Sequence, residues 1–243
     1  MRFATTGQLA RLHFGGSRSA ASKRLRRLFD AGLLRAWVPR LDGENVYSLT
    51  SRSARFIDDQ KSGPCSPAPR GVDGNLEHLL AVGSVRVAIA MTLDDGAELR
   101  SWRSYWELEP QFKEPVIPDA LFEVHSRNGH QVFAIEVDRT TPSPQAFVRR
   151  ILNYEAMGGR GYGVSGFALL VVGSKESWLE RYRERVAQHP LRLPIWFAAY
   201  PEVEAKGAQA AWRSLKGEIV PSLRALLAVR NGGGEKRPDA VYG

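Results

Sequence analysis

The chain has 243 residues, 43% of them hydrophobic, and a formal net charge of +8. This length supports one core of about 150–180 residues beside a small second domain. No run approaches the roughly 18–20 apolar residues of a membrane span, and no signal-peptide pattern opens the chain, so we expect a cytoplasmic protein without membrane contact. A lone Cys65 excludes an internal disulfide or a multi-cysteine zinc site, and the histidines lack ligand spacing, so any metal would have oxygen ligands.

The positive charge is concentrated at the N-terminus. Residues 1–56 contain 11 Lys and Arg against 3 Asp and Glu, whereas residues 57–243 contain 23 of each. A basic segment joined to a neutral body is typical of proteins that bind a polyanion through one part of the chain. The segment therefore predicts binding to double-stranded DNA.

The basic segment also has a recognisable order of elements. Thr5 can cap a first short helix, and a second helix extends to about Gly32. Two strands then flank a turn at 42–45, and Thr50 can cap a further short helix. Helix, helix, hairpin is the order of a winged helix-turn-helix domain, which we place at residues 1–57.

The second predicted helix has an apolar face and a polar, basic face. Ala21, Leu25, Leu28 and Phe29 share the first face. A helix in the major groove needs side chains that donate to base edges and phosphates. The predicted DNA-binding residues are Arg18, Ser19, Ser22, Lys23, Arg26 and Arg27 on this helix and Arg40 on the hairpin. The alternatives are a merely solvated basic face and a protein-docking module.

Residues 58–74 contain three Pro, three Gly and two Ser without an apolar period, which predicts a linker. The elements predicted beyond it are a helix over 75–91, strands over 97–103, 116–124 and 131–138, a helix over 144–157, a strand over 166–173, a helix over 175–188, a strand over 193–200 and a last helix over 206–229. This order predicts an α/β body with a mixed sheet over 75–230 and a disordered tail at 231–243.

Three carboxylates fall on two neighbouring predicted strands. Asp119 lies on the first, and Glu136 and Asp138 point to one face of the second because side chains alternate along a strand. Acidic side chains within an apolar strand are costly to bury without a positive partner. A divalent cation such as Mg²⁺ is the simplest partner, and it can activate water and stabilise a phosphodiester leaving oxygen.

The spacing of these carboxylates resembles the PD-(D/E)XK restriction-endonuclease-like superfamily, with Pro118-Asp119, sixteen residues, and then Glu136-Val137-Asp138. With the basic segment ahead and the strings IEVDRTT and FVRRILNYEAM, the chain over about residues 4–230 is similar to the replication-relaxation family, which is related to the C-type mobilisation relaxases of plasmids. The resemblance implies an α+β protein in which a winged helix-turn-helix precedes an endonuclease-like domain. It implies a Mg²⁺ or Mn²⁺ cofactor at Asp119 and Glu136, with Glu77 as an additional helical carboxylate.

Asp138 departs from the superfamily, which usually has a lysine there. An acidic residue can serve as a third metal ligand or a general base, with Arg139, Arg149 or Arg150 supplying the positive charge. It can equally mark a site that no longer cleaves. A further interpretation is that Glu136 and Asp138 form internal ion pairs with Arg149 and Arg150.

Aromatic residues are frequent before the first carboxylate motif, and we expect them in the core or at the rim of the sheet: Trp102, Tyr105, Trp106 and Phe112. Trp106 could instead stack on an unpaired base. Candidate nucleophiles for strand transfer are Tyr105, Tyr154 and Tyr162, and the sequence does not choose among them.

The leading hypothesis is a metal-dependent DNA nickase or relaxation protein of plasmid or mobile-element replication and transfer. Its predicted catalytic residues are Glu77, Asp119, Glu136 and Asp138. The alternatives are a catalytically inactive DNA-binding accessory and a transcriptional regulator on a degenerate nuclease fold. Expected partners are double-stranded DNA, single-stranded DNA at a nick, and either a second copy of the chain or a relaxosome or replication protein.

Overall fold

The computed structural model describes residues 2–38, 43–59, 75–94, 96–127, 129–138 and 143–231. The N-terminal elements are β1 (Ala4–Thr5), α1 (Thr6–His13), α2 (Arg18–Asp30), β2 (Leu34–Trp37), β3 (Val46–Leu49) and α3 (Ser51–Asp59). The remaining elements are α4 (Leu76–Thr92), β4 (Ala97–Ser104), α5 (Tyr105–Leu108), β5 (Ala120–Ser126), β6 (Gly129–Asp138), α6 (Pro144–Ala156), β7 (Ala168–Gly173), α7 (Glu176–Val186), β8 (Ile195–Ala199), α8 (Tyr200–Lys206), a 3-10 turn (Gly207–Gln209), β9 (Trp212–Ser214), β10 (Ile219–Val220) and α9 (Leu223–Asn231).

The N-terminal elements combine two helices with an antiparallel sheet in the strand order β1-β3-β2. Thr5 caps α1 as predicted: its hydroxyl accepts from the Gln8 N–H at 3.2 Å, and the Gln8 side chain accepts from the Thr5 N–H at 3.0 Å. Ala21 and Leu25 bury the apolar face of α2. The predicted order of helix, helix and hairpin strands is confirmed, and its interpretation as a winged helix-turn-helix stays a prediction.

The end of this unit differs slightly from the predicted boundary. Thr50 accepts from the Ser53 N–H at 3.3 Å and so caps α3, as expected. The helix runs through Asp59, two residues into the predicted linker. Arg40, Arg139, the remainder of the linker and the tail beyond Asn231 lie outside the described residues.

The body is a seven-stranded mixed sheet in the order β10-β9-β8-β7-β6-β5-β4, in which β6, β7 and β8 run parallel. Helices α4 and α9 cover one face through a core that includes Ile89 and Leu223. Helices α6 and α7 cover the other face through a core that includes Ile151 and Trp178. The predicted mixture of helices around a mixed sheet is confirmed.

Two predicted elements are wrong. The helix over 206–229 is instead the 3-10 turn, β9, β10 and α9, because Gly207 (φ 56°) and Gly217 (φ 89°) adopt left-handed conformations and Pro221 lacks an N–H. The strand over 116–124 begins only at Ala120. Asp119 therefore lies in a bend just before β5 rather than on the strand.

The N-terminal unit packs directly on α4. The buried Gln8 donates through Nε2 to the Leu80 carbonyl at 2.8 Å and to the Ser84 hydroxyl at 3.0 Å. Phe3 and Val46 bury against Leu76 at the start of the same helix. Helix α4 thus joins the basic N-terminal unit to the sheet that carries the carboxylates. The division into domains at residues 1–57 and 75–230 stays a prediction.

Candidate nucleic-acid interface and carboxylate cleft

Helix α2 presents its basic face to solvent. Every residue predicted to contact DNA on this helix is exposed: Arg18, Ser19, Ser22, Lys23, Arg26 and Arg27. Phe29, which was expected on the apolar face, is 42% exposed, and the Arg26 guanidinium lies 5.9 Å from its ring centroid. The exposed face is therefore basic with one aromatic residue near its C-terminal end.

Two of these arginines are held by acidic neighbours. Arg18 pairs with Glu44, which also accepts from the Gly7 N–H at 3.0 Å. Burial alone would raise the pKa of Glu44, but hydrogen bonds from Thr5, Gly7 and Arg18 outweigh it and lower the pKa. Arg18 therefore has to exchange an intramolecular partner before it can contact a phosphate.

Arg26 has a weaker competitor, because its Nε lies 2.9 Å from a carboxylate oxygen of Asp30 in an exposed i,i+4 pair. Lys23 and Arg27 have no acidic partner within the described parts of the chain. Four residues apart, they lie on neighbouring turns of one helix face. Both can contact phosphates without breaking an ion pair.

A second site is a cleft of about 650 Å³ lined by α4, α5, α6 and the end of β6. The structure brings all four predicted catalytic carboxylates to it: Glu77, Asp119, Glu136 and Asp138. Glu77 is exposed on the first turn of α4, and Asp138 is half-buried at the last residue of β6. The two remaining carboxylates lie deeper and have well-defined partners.

Asp119 links β6 to α4. Its Oδ2 accepts from the Val137 N–H at 2.7 Å, and its Oδ1 lies 2.8 Å from Nε2 of His78. Burial would lower the pKa of His78, but the hydrogen bond and the negative charge of Asp119 outweigh it and raise the pKa. Asp119 therefore favours the protonated form of His78.

Glu136 is buried, with only 7% of its surface exposed. Its Oε1 accepts from the Tyr154 hydroxyl, and its Oε2 lies 2.7 Å from Nη2 of Arg150, which also donates to the Ile117 carbonyl at 3.3 Å. Burial and the charge of Asp119 raise the pKa of Glu136 to about 7, although Arg150 and Tyr154 act in the opposite direction. Glu136 thus titrates near neutral pH.

As arranged, these carboxylates do not fit a divalent cation. Both oxygens of Asp119 and both oxygens of Glu136 already have partners. Among the described residues, no group of three or more His, Cys, Asp or Glu side chains has the arrangement of a metal site. Mg²⁺ requires near-octahedral oxygen ligands at about 2.0–2.1 Å, so Arg150 competes with any cation that would bind Glu136. The structure contains the Glu136–Arg150 ion pair, and metal binding by Asp119, Glu136 and Asp138 stays a prediction.

Comparison with protein families identifies the chain. A family model described as Replication-relaxation matches residues 1–166, more than half of the sequence. The chain belongs to the replication-relaxation family. The match includes α2 and every element that lines the cleft, and the family suggests a role in replication or mobilisation. No curated protein and no solved structure matches the chain.

Sequence reasoning missed one residue of this replication-relaxation protein and left two others undecided. His78 was set aside because it lacks ligand spacing, yet it contacts Asp119, 41 positions away in the chain. His78 follows Glu77 on α4, and successive residues of a helix point about 100° apart. Only the packing of α4 on the sheet shows that His78, rather than Glu77, contacts Asp119. Arg150 was one of several candidate cations, and Tyr154 one of three candidate nucleophiles.

None of the helices that the structure describes is long and apolar enough to cross a membrane.

Two of the three candidate tyrosine nucleophiles are inaccessible. Tyr154 and Tyr162 are fully buried, with their hydroxyls donating to Glu136 and to the Val116 carbonyl. Burial raises the pKa of each phenol, which keeps both hydroxyls protonated.

Proposed function

We propose that this protein binds double-stranded DNA in the replication or transfer of a plasmid or other mobile element, with α2 as the DNA-contacting helix. The observation that carries the proposal is the exposed basic face of α2, on which Lys23 and Arg27 lack acidic partners within the described residues. The net charge of +8 on residues 1–56 adds a long-range positive electrostatic field that attracts a polyanion. Membership of the replication-relaxation family supports a nucleic acid as the polyanion.

The proposed contacts divide by chemistry. Lys23 and Arg27 would bind backbone phosphates, which position a protein on the duplex without reading sequence. Ser19 and Ser22, exposed in the N-terminal half of α2, are the groups suited to base edges. Arg18 would contact DNA only after leaving Glu44, so part of its interaction energy is offset by that exchange.

Lys23→Gln together with Arg27→Gln is expected to weaken duplex binding on every sequence. Each lost phosphate contact removes about one released counterion, so the slope of log affinity against log salt should fall by about two between about 50 and 200 mM salt. Fluorescence anisotropy with a labelled duplex measures both quantities.

The matched control is Arg181→Gln with Arg185→Gln, which removes the same charge from two exposed arginines at the same spacing on α7. It should leave the affinity and the slope close to those of the unchanged protein. An equal loss in both double variants would mean that net charge, rather than α2, governs binding. Absence of salt-sensitive duplex binding by the unchanged protein would overturn the proposed function.

A second candidate function is cleavage of a phosphodiester in the cleft with Mg²⁺ or Mn²⁺ as cofactor. The convergence of Asp119, Glu136 and Asp138 on one cleft favours it. The engagement of Glu136 by Arg150 and Tyr154 opposes it and favours a DNA-binding accessory that does not cleave. When bound, the cation would supply Lewis-acid stabilisation of the phosphodiester oxygens.

A supercoiled plasmid incubated with either cation tests this candidate. If the cleft cleaves DNA, the unchanged protein should produce open circles, and Asp119→Asn should reduce the rate by at least about a hundredfold. Glu123→Gln, which alters a carboxylate of β5 that does not line the cleft, should keep the activity. No open circles from a preparation that binds duplex DNA would leave the non-cleaving accessory as the function.

A further inference from the structure

Tyr105 is an exposed aromatic residue on the wall of the carboxylate cleft. Its surface is 46% exposed. Of the large hydrophobic side chains that the structure describes as exposed, Tyr105 is the one that lines the cleft. Exposing an aromatic ring inside a concave site leaves apolar surface in water that a ligand can cover.

The neighbouring aromatic residues already have partners. Trp102 stacks on Phe122 with ring centroids 4.9 Å apart. Phe112 packs edge-on against Tyr162 at 5.9 Å. The half-buried Trp106 lies under the guanidinium of Arg2, 5.5 Å from the ring centroid. Tyr105 has no such ring partner within the described residues, so its face remains available.

The backbone holds Tyr105 beside Asp119. The Tyr105 N–H donates to the Asp119 carbonyl at 2.8 Å, which extends the pairing of β4 with β5 by one residue. Ser104 caps α5, and its N–H donates to the Glu107 carboxylate at 2.8 Å. With the backbone fixed in this way, a ligand that stacks on Tyr105 has to order only the side chain and not the segment that carries it.

We propose that Tyr105 stacks on an unpaired nucleobase of DNA held in the cleft. The inference rests on the proposed DNA-binding function and names the form of DNA that the cleft takes. A base is neutral, so it avoids the repulsion that a bare phosphate would meet from Asp119 and Asp138. The cleft of about 650 Å³ falls within the usual range for one small ligand of about 300–1,000 Å³. Every base offers a π-face, so this contact adds affinity without reading sequence, whereas α2 faces the duplex.

The test uses a short single-stranded oligonucleotide containing 2-aminopurine, whose fluorescence changes on stacking. Tyr105→Ala should weaken binding by about five- to hundredfold, the range expected for the loss of one base–aromatic stack. Tyr105→Phe should stay within about twofold of the unchanged protein because the ring is retained. Ile219→Ala removes an exposed apolar side chain from β10, at the opposite edge of the sheet from β4, and should have no effect.

Duplex affinity is measured in parallel and should be the same for all of these variants. A second experiment uses a duplex with a one-base bulge. If the unchanged protein binds this duplex more tightly than the perfect duplex, and Tyr105→Ala loses the difference, the proposal extends to bases displaced from a duplex. If Tyr105→Ala binds the single strand as tightly as the unchanged protein does, or if Tyr105→Phe loses as much as Tyr105→Ala, the stacking proposal is overturned. Failure of duplex binding while single-strand binding persists would instead overturn the function proposed for α2, so the two failures are distinguishable.

Discussion

Arg150→Met is expected to lower the free energy of unfolding by about 2–3 kcal/mol near pH 8. Removing one partner of a buried ion pair typically costs about 3–5 kcal/mol because the other charge is left uncompensated. The Glu136 side chain is 9% exposed but that of Arg150 is 44% exposed, so solvent screening reduces the expected loss. Urea unfolding followed by circular dichroism measures the difference.

Arg149→Met is the matched control, because Arg149 is the preceding residue of α6 and is exposed. A surface substitution of this kind should change stability by no more than about 0.5 kcal/mol. Equal losses in the two variants would show that Arg150 does not compensate Glu136. Stabilisation of Arg150→Met by Mn²⁺, without an effect on the control, would show that a cation can take the place of the guanidinium.

The loss of stability in Arg150→Met should depend on pH with a definite sign. The pKa of Glu136 in the folded protein is about 7, above its ordinary value of 4.5, because burial favours the neutral acid. The stability that Glu136 contributes is therefore fully present below about pH 4.5 and is lost as the pH rises through about 7. Arg150 compensates only the charged form, so Arg150→Met should be less harmful near pH 5.5 than near pH 8.

Gly207→Ala is expected to destabilise the protein by about 3–5 kcal/mol. A Cβ at Gly207 would lie 2.1 Å from the Ala88 carbonyl oxygen and 2.2 Å from the Thr92 hydroxyl, and the residue has φ +56°. The Thr92 hydroxyl accepts from the Ala208 N–H at 2.7 Å, so the 3-10 turn cannot move away without breaking that bond. Overpacking against backbone adds to the strain of a left-handed alanine.

Gly158→Ala separates the effect of overpacking from the strain of a left-handed alanine. Gly158 has φ +61° but no atom within 4 Å of its Cβ position. This variant should therefore lose only about 1–2 kcal/mol of stability, the cost of a left-handed backbone conformation for alanine. If the two glycine variants lose the same stability, the close approach of the 3-10 turn to α4 contributes nothing.

Local chemistry made much of the fold predictable. Thr5 marked the start of α1 because its hydroxyl can satisfy a free N–H group at a helix N-terminus, and the structure adds the Gln8 side chain as the second half of a capping box. The apolar strand over 131–138 was predicted within two residues because its side chains pack on both faces of the sheet. Residues 206–229 were mistaken for one helix because an apolar period continues through Gly207, whose left-handed conformation depends on its contact with α4.

The sequence by itself determined the charge asymmetry, the basic face of α2 and the position of Glu136 and Asp138 on one face of a strand, since these depend on residue type and on helix and strand periodicity. Only the tertiary structure decided how each carboxylate is compensated. The contacts of Asp119 with His78 and of Glu136 with Arg150 join residues 41 and 14 positions apart through the packing of α4 and α6 on the sheet. Burial then sets the pKa of Glu136, and burial is a property of the packed molecule rather than of any local sequence.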